Sequence, residues 1–217
     1  SRFERKWFYE NVDVNSLLQG IYKSKFNFFE SFPLRKVNSI YFDDNELTSI
    51  YQNLDGIAEK KKLRVRWYGK KNIITNPVIE IKSKKGFIVN KQTILMNIKK
   101  PLPFNDNSIN KIKKIISNKI DLAKSLVPTI STHYERYYFI SANSNVRATL
   151  DKNLSSSMLY KYCNYKFLKN FKYKVLEIKY SLEYDSYVRK NLKNIDSRLS
   201  KSSKYVTFST TTSKVYS

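Results

Sequence analysis

Cysteine occurs once in 217 residues, at Cys163, and a lone thiol excludes an intrachain disulfide framework and a cysteine-built zinc site. Histidine also occurs once, and on its aromatic stretch His133 reads as structural rather than as a base or a metal ligand. Four glycines and five prolines are too few for a collagen-like or low-complexity chain. No apolar run approaches the roughly 20 residues that span a bilayer as a helix. The opening SRFERKWFYE is too charged for a secretory signal peptide, so a soluble chain in a reducing, cytoplasmic setting is the expectation. Acid is the scarcest ingredient. Eighteen Asp+Glu stand against 41 Lys+Arg, and a net charge of +23 points to an anionic partner.

What is present suits a packed protein. Apolar residues make up 41% of the chain and aromatics 15%, enough for a sizeable core in one domain spanning 1–217. The basicity needs a discount, because only nine of the 41 cations are Arg, and lysines such as Lys111, Lys113 and Lys114 serve as ordinary solvating groups. The informative cations are those placed in phase inside apolar strands.

Period-two alternation predicts eight strands, at about 3–9, 36–43, 59–69, 77–84, 87–95, 130–141, 145–152 and 173–181. Lys84-Lys85-Gly86 joins the fourth and fifth as an antiparallel hairpin, with Gly supplying the turn. Helical spacing appears at about 14–24, 45–53, 108–126 and 183–194, the third carrying Ile109, Ile112, Ile115 and Ile116. In the third strand Lys60, Lys62, Arg64 and Arg66 share one face while Leu63, Val65 and Trp67 share the other. The same split recurs with Glu4 and Lys6, Glu80 and Lys82, Lys91 and Thr93, Arg147 with Thr149 and Asp151, and Glu177 and Lys179. A sandwich would turn these polar faces to water. A closed barrel would turn them inward and pack its apolar face against helices. Periodicity leaves both open.

Six segments in order carry a resemblance. They are Phe3-Glu4-Arg5-Lys6-Trp7, Asn38-Ser39-Ile40-Tyr41-Phe42-Asp43, Leu63-Arg64-Val65-Arg66-Trp67-Tyr68-Gly69, Ile79-Glu80-Ile81-Lys82, Val146-Arg147-Ala148-Thr149-Leu150-Asp151 and Val175-Leu176-Glu177-Ile178-Lys179. Together they resemble the catalytic domain of the vacuolar transporter chaperone (VTC) polyphosphate polymerases, a branch of the triphosphate tunnel metalloenzymes. The resemblance implies an α+β fold, an eight-stranded antiparallel β-barrel forming a basic tunnel with peripheral helices. It also implies a C-terminal helix at about 183–210 at the tunnel mouth. On it, the family's phosphate-binding cations fall on Lys6, Arg64, Arg66, Lys82 and Arg136. Polymer contacts fall on Lys91, Arg147, Lys201 and Lys204, and the metal-binding carboxylate falls on Glu177. The chain departs from the wider superfamily's opening Glu-x-Glu-x-Lys, having Arg2 before Glu4 and Lys6. Fewer acids imply the polymerase branch rather than the two-metal triphosphatase branch.

The implied activity is transfer of the γ-phosphate of ATP to a growing inorganic polyphosphate chain, assisted by Mn²⁺ or Mg²⁺. Guanidinium suits the clamping of phosphate oxygens because it binds them bidentately, whereas Lys6 and Lys82 supply compact point charges. Two alternatives stay open, an inorganic triphosphatase or short-polyphosphate hydrolase and a noncatalytic polyanion-binding module. No nucleic-acid recognition motif is visible, and no membrane segment, so a membrane partner stays an open question.

Overall fold

The structure, a computed structural model, describes residues 2–46, 48, 59–85, 88–159 and 168–192. In chain order the elements are β1 (Arg2–Tyr9), α1 (Val14–Tyr22), β2 (Phe28–Asp43), β3 (Glu59–Tyr68), β4 (Ile73–Ile74), β5 (Val78–Lys85), β6 (Ile88–Leu95) and β7 (Leu102–Pro103). They continue with α2 (Asp106–Lys119), β8 (Val127–Ser141), β9 (Val146–Met158), β10 (Leu168–Phe171), β11 (Lys174–Ser181) and α3 (Asp185–Asn191). The chain falls into two compact units. One takes Ser1–Arg35, Tyr134–Leu154 and Asn170–Ser202, the other Lys36–His133, Ser155–Lys169 and Ser203–Ser217, so β2, β8, β9 and β10 each contribute to both.

The architecture is α+β and mostly antiparallel, as expected, but the sheet differs from the expected eight-stranded closed barrel. Its hydrogen-bonded order is β1-β11-β9-β8-β2-β3-β5-β6 with β10 on β9, nine strands in all, and among the described residues no pairing joins β1 to β6. Alternation assigns faces to strands, whereas closure depends on stagger and tilt, which alternation does not encode. Two strands are also longer than their periodicity suggests. β2 begins at Phe28, where Pro33 interrupts the strand signal. β9 runs on to Met158 past Asn153, whose φ of 51° breaks the alternation in the manner of a bulge. The β5–β6 hairpin is found, with Lys85 opposite Ile88, and its two connecting residues lie outside the described ones. So does most of the helix expected over 45–53, with Cys163.

Each unit has its own core on one face of its strands. In the first, Trp7 and Tyr9 of β1, Val146, Ala148 and Leu150 of β9, and Leu176, Ile178 and Tyr180 of β11 are buried against Ile21 of α1 and Val188 of α3. Asp13 starts α1 by accepting from the backbone N–H groups of Asn15 at 2.7 Å and Ser16 at 3.2 Å. α3 is fastened by a polar latch. Arg5 donates to the Tyr180 hydroxyl and, at 3.0 Å, to Asp185, while Tyr180 donates to Asp185 at 2.6 Å and Arg189 does so at 2.7 Å.

In the second unit, Ile40 and Phe42 of β2, Leu63, Val65 and Trp67 of β3, and Ile79 of β5 pack on Ile109, Ile112 and Ile116 of α2. These three isoleucines lie along one stripe of a 3.6-residue helix, and Asn105 caps it by accepting from Ser108 N–H at 3.0 Å. No helix among the described residues is long and apolar enough to cross a membrane. Because Ile112 is wholly buried in this core, Ile112→Ala should lower the unfolding free energy by about 3 kcal/mol. Lys114→Ala on the exposed side should change it by less than about 0.5 kcal/mol, both read from urea denaturation.

Candidate functional site

Strand register places the charges opposite the cores. In the second unit Tyr41 lies across from Arg64, Arg64 across from Glu80, and Ser39 across from Arg66, all on the face that does not meet α2. Part of this face is withdrawn from water: Glu80 is 3% exposed and Ser39 is fully buried, Arg64 and Arg66 are partly buried, and Lys82, Lys91 and Thr93 further along it are exposed.

Glu80 is the hub of that surface. Arg64 reaches it through Nη2 at 2.7 Å and donates from Nε at 2.7 Å, Arg66 Nη2 lies at 2.9 Å, and Lys91 Nζ at 2.6 Å. The guanidinium of Arg64 also donates to the Tyr41 hydroxyl at 3.1 Å, and that of Arg66 sits 5.2 Å from the Tyr68 ring centroid. Burial works to raise the Glu80 pKa, but Arg64, Lys91 and Arg66 prevail and hold it down at about 2. Three cations on one carboxylate leave a local surplus of positive charge, with the arginines already oriented. That is the electrostatic form of an anion site.

The first unit carries a second cluster. β1 and β11 pair Lys6 with Glu177 and Glu4 with Lys179, so the signs alternate in both directions. Lys6 Nζ contacts Glu4 and lies 3.5 Å from Glu177, and Lys179 Nζ lies 2.6 Å from Glu177 and 3.5 Å from Glu4. Burial opposes the charge on Glu177, yet Lys6 and Lys179 keep its carboxyl below the ordinary range. Burial likewise opposes the charge on Lys6, and Glu177 and Glu4 outweigh it and raise that ammonium's pKa. On β9, Thr149 stands opposite Glu177, and its hydroxyl is buried without a hydrogen-bond partner. Arg136 donates from Nε and Nη2 to fully buried Asp151 at 2.6 and 2.8 Å, with the Tyr134 ring centroid 5.1 Å from the guanidinium.

A divalent ion of the kind the resemblance implies fits this donor set. Mg²⁺ and Mn²⁺ prefer hard oxygen ligands and take one or two carboxylates plus phosphate and water. Glu177, Glu4 and the orphaned Thr149 hydroxyl supply such oxygens. Among the described residues no three acidic, histidine or cysteine side chains gather into a metal cage, so a closed all-protein site is not what this cluster offers.

Of the residues singled out in the sequence, Arg64, Arg66 and Lys91 are brought together by Glu80, and Lys6 and Glu177 by direct contact. Arg136 is fixed to Asp151. Lys82 is exposed, with Lys91 across from it on β6, and Arg147 is exposed across from Lys179. Lys201 and Lys204 lie outside the described residues. His133 is structural, as read: Nδ1 sits 2.9 Å from Asn38 Oδ1, the ring lies edge-on to Trp67 and Phe104, and burial together with Lys71 lowers its pKa to about 4. Asn38 in turn donates to the carbonyl of Gly69, whose φ of 96° closes the end of β3 in a conformation suited to glycine. Sequence reasoning passed over Glu80 as the shared counter-charge of three cations, because which cations share an acid depends on register across β3, β5 and β6.

A helix-backed antiparallel sheet with a partly buried, acid-balanced basic face defines a class of proteins suited to an anionic ligand rather than one activity. The sequence model of the VTC domain matches residues 2–212, and the chain belongs to that family. Among curated protein sequences none matches. Among solved structures, the chain is similar to the PH1819 protein of Pyrococcus horikoshii OT3, with a TM-score of 0.54 and 8% identity over 98% of this chain and 99% of that one. It is also similar to a putative adenylate cyclase of Bacillus halodurans, with a TM-score of 0.53 and 16% identity over 94% and 95% of the two chains. Likeness at such identities establishes a shared fold.

The Glu80 hub has a measurable signature. Its folded pKa is depressed, so its stabilising contribution is full above the ordinary carboxyl pKa of 4.5 and is lost as pH falls from there toward about 2. Glu80→Gln removes the counter-charge and should cost about 3 kcal/mol at neutral pH. Thermal melts from pH 6 to pH 2 should show the variant's profile flatter than wild type below pH 4.5, and added tripolyphosphate should restore much of its Tm at neutral pH.

Proposed function

We propose that this VTC-family chain is a polyphosphate polymerase that uses ATP as its phosphoryl donor. A terminal oxygen of the growing chain attacks Pγ, the bond between Pγ and the β,γ-bridging oxygen breaks, ADP leaves with that electron pair, and the chain gains one phosphate. The transferred group spreads negative charge over three equatorial oxygens, so the protein's task is neutralisation and alignment rather than covalent chemistry. The observation that carries the reading is the pair of arginines, Arg64 and Arg66, held two residues apart on one partly buried face by a single carboxylate, with positive charge to spare.

Each residue has a task. Arg64 and Arg66 grip phosphate oxygens bidentately, Lys82 and Lys91 add point charge at exposed positions, and Arg136, kept rigid by Asp151, presents a fixed cation. Glu177, with Glu4 and Thr149 beside it, would hold Mg²⁺ or Mn²⁺. Such an ion neutralises nucleotide phosphate charge and fixes its geometry. Lys6 and Lys179 hold the Glu177 carboxyl below the ordinary range, so it is ionised near neutral pH, which is the state a cation needs. The small number of acids supports the polymerase over a two-metal hydrolase.

Incubating the pure protein with ATP and Mn²⁺ should yield ADP in step with a phosphatase-sensitive polymer. Release of orthophosphate without polymer would make it a triphosphatase, and absence of turnover with retained polyphosphate binding would make it a polyanion-binding module. Glu177→Gln should cut metal-dependent turnover on the order of 100-fold while polyphosphate affinity holds or rises, since a negative charge leaves a cationic surface. Arg66→Ala should weaken polyphosphate affinity and also lower turnover by about 100-fold or more. A Mn²⁺ titration of both variants, with affinity measured alongside, separates the two roles.

A further inference from the structure

The partly buried polar face of the second unit continues beyond its charged residues into a row of hydroxyls. Ser39 on β2 is fully buried, Thr132 on β8 is fully buried, and Ser156 on β9 is 1% exposed. Among the described residues none of their hydroxyl groups has a hydrogen-bond partner, and neither does the buried Nε of Arg66. A buried hydroxyl with no acceptor is costly and uncommon, and four orphaned donors on neighbouring strands are not explained by packing.

Their neighbourhood follows from register. Ser39 lies across from Arg66 in the β2–β3 ladder. Asn38 and His133, one residue away from Ser39 and Thr132 respectively, touch at 2.9 Å. Since alternate residues change faces, Ser39 and Thr132 are neighbours on the opposite face. The backbone bond from Leu159 N–H to Thr129 C=O at 2.8 Å, with Ser131 Oγ reaching Ser157 C=O at 3.5 Å, sets Ser156 against Thr132. The row therefore runs Ser156, Thr132, Ser39, Arg66 across four adjacent strands, on the face that carries Arg64 and Glu80.

We propose that this row is a binding subsite for successive phosphoryl groups of a linear polyphosphate or triphosphate, held by three hydroxyl donors and the Nε–H of Arg66. The proposal rests on the reading that this face takes phosphate chains, and it names where an uncharged part of the grip lies. Donors spread over four neighbouring strands, about 4.8 Å apart, are too far apart for one phosphoryl group and match the acceptor oxygens repeated along a chain. Hydroxyl donors carry no charge of their own, so their bonds to phosphate oxygens lack the ion-pair attraction of an arginine and hold the chain without trapping it. A polymer that must advance one unit per turnover needs such a position next to its arginine clamp.

The test is calorimetric titration of the intact chain with tripolyphosphate, comparing wild type with Ser39→Ala, Ser156→Ala, the near-isosteric Thr132→Val and the hydroxyl-preserving Thr132→Ser. Each hydroxyl-removing variant should weaken tripolyphosphate binding by about tenfold. Thr132→Ser should stay close to wild type, and ligand-free melting temperatures of the alanine and valine variants should be equal to or above it. If these variants bind tripolyphosphate within twofold of wild type, the hydroxyls serve the fold or its hydration and the subsite is refuted. If wild type does not bind tripolyphosphate, it is refuted as well. ATP-to-polymer turnover is followed in parallel. Wild type that binds but does not polymerise, with the variants still weakened, removes the polymerase reading and leaves the subsite standing. Wild type that polymerises while the variants bind normally removes the subsite and leaves the polymerase.

Discussion

A sheet that buries one face and part of the other must solve two different problems at once, and in this protein the harder one is burying cations. The apolar face costs little to cover, since Ile112 of α2 in one unit and Ile21 of α1 in the other bring ordinary hydrophobic area to it. The opposite face carries arginines and lysines that lose water on folding, and unpaired charge there would be prohibitive. Acids described on that face are committed to them. Glu80 answers three cations, Glu177 and Glu4 share two, and Asp151 pairs with Arg136. With so few acids in the chain, neutralisation is partial and positive charge is left over.

This balance separates two kinds of cation that look alike on a strand. Arg136 is held by both oxygens of a fully buried aspartate and lies over the Tyr134 and Tyr138 rings, so its guanidinium is fixed in place. Arg64 and Arg66 share their acid with Lys91, which is half exposed, so part of that arrangement is adjustable from the solvent side. A cation fixed in advance suits alignment of an anion, and one that shares its acid can exchange that acid for an incoming anion.

Much of the site was legible because alternation is a local property. Arg64 and Arg66 opposite Leu63 and Val65, or Glu177 between Leu176 and Ile178, could be assigned to a face from spacing alone, and the structure keeps those assignments. The ordered strings around Ile40-Tyr41-Phe42 and Trp67-Tyr68-Gly69 pointed to the family that the whole-chain match establishes. What stayed hidden depends on register between strands far apart in sequence. Ser39 faces Arg66, and Glu80 collects cations from β3 and β6, only because of how the ladders align. The extension of β9 was masked by serines and by the left-handed Asn153, which break the alternating signal where the strand continues. Arg5, the neighbour of Lys6, lies in phase with Trp7 on the core side, and its charge is spent on Tyr180 and Asp185.

That same latch governs how the chain behaves at its last described helix. Seven residues are too few for α3 to persist alone in water, so its helicity is borrowed from Val188 in the core and from the ties on Asp185. Such a segment opens as a unit rather than fraying residue by residue, because releasing Asp185 severs Arg5, Tyr180 and Arg189 together. In amide hydrogen exchange α3 would report as one cooperative step, below the free energy at which the strands beneath it come apart.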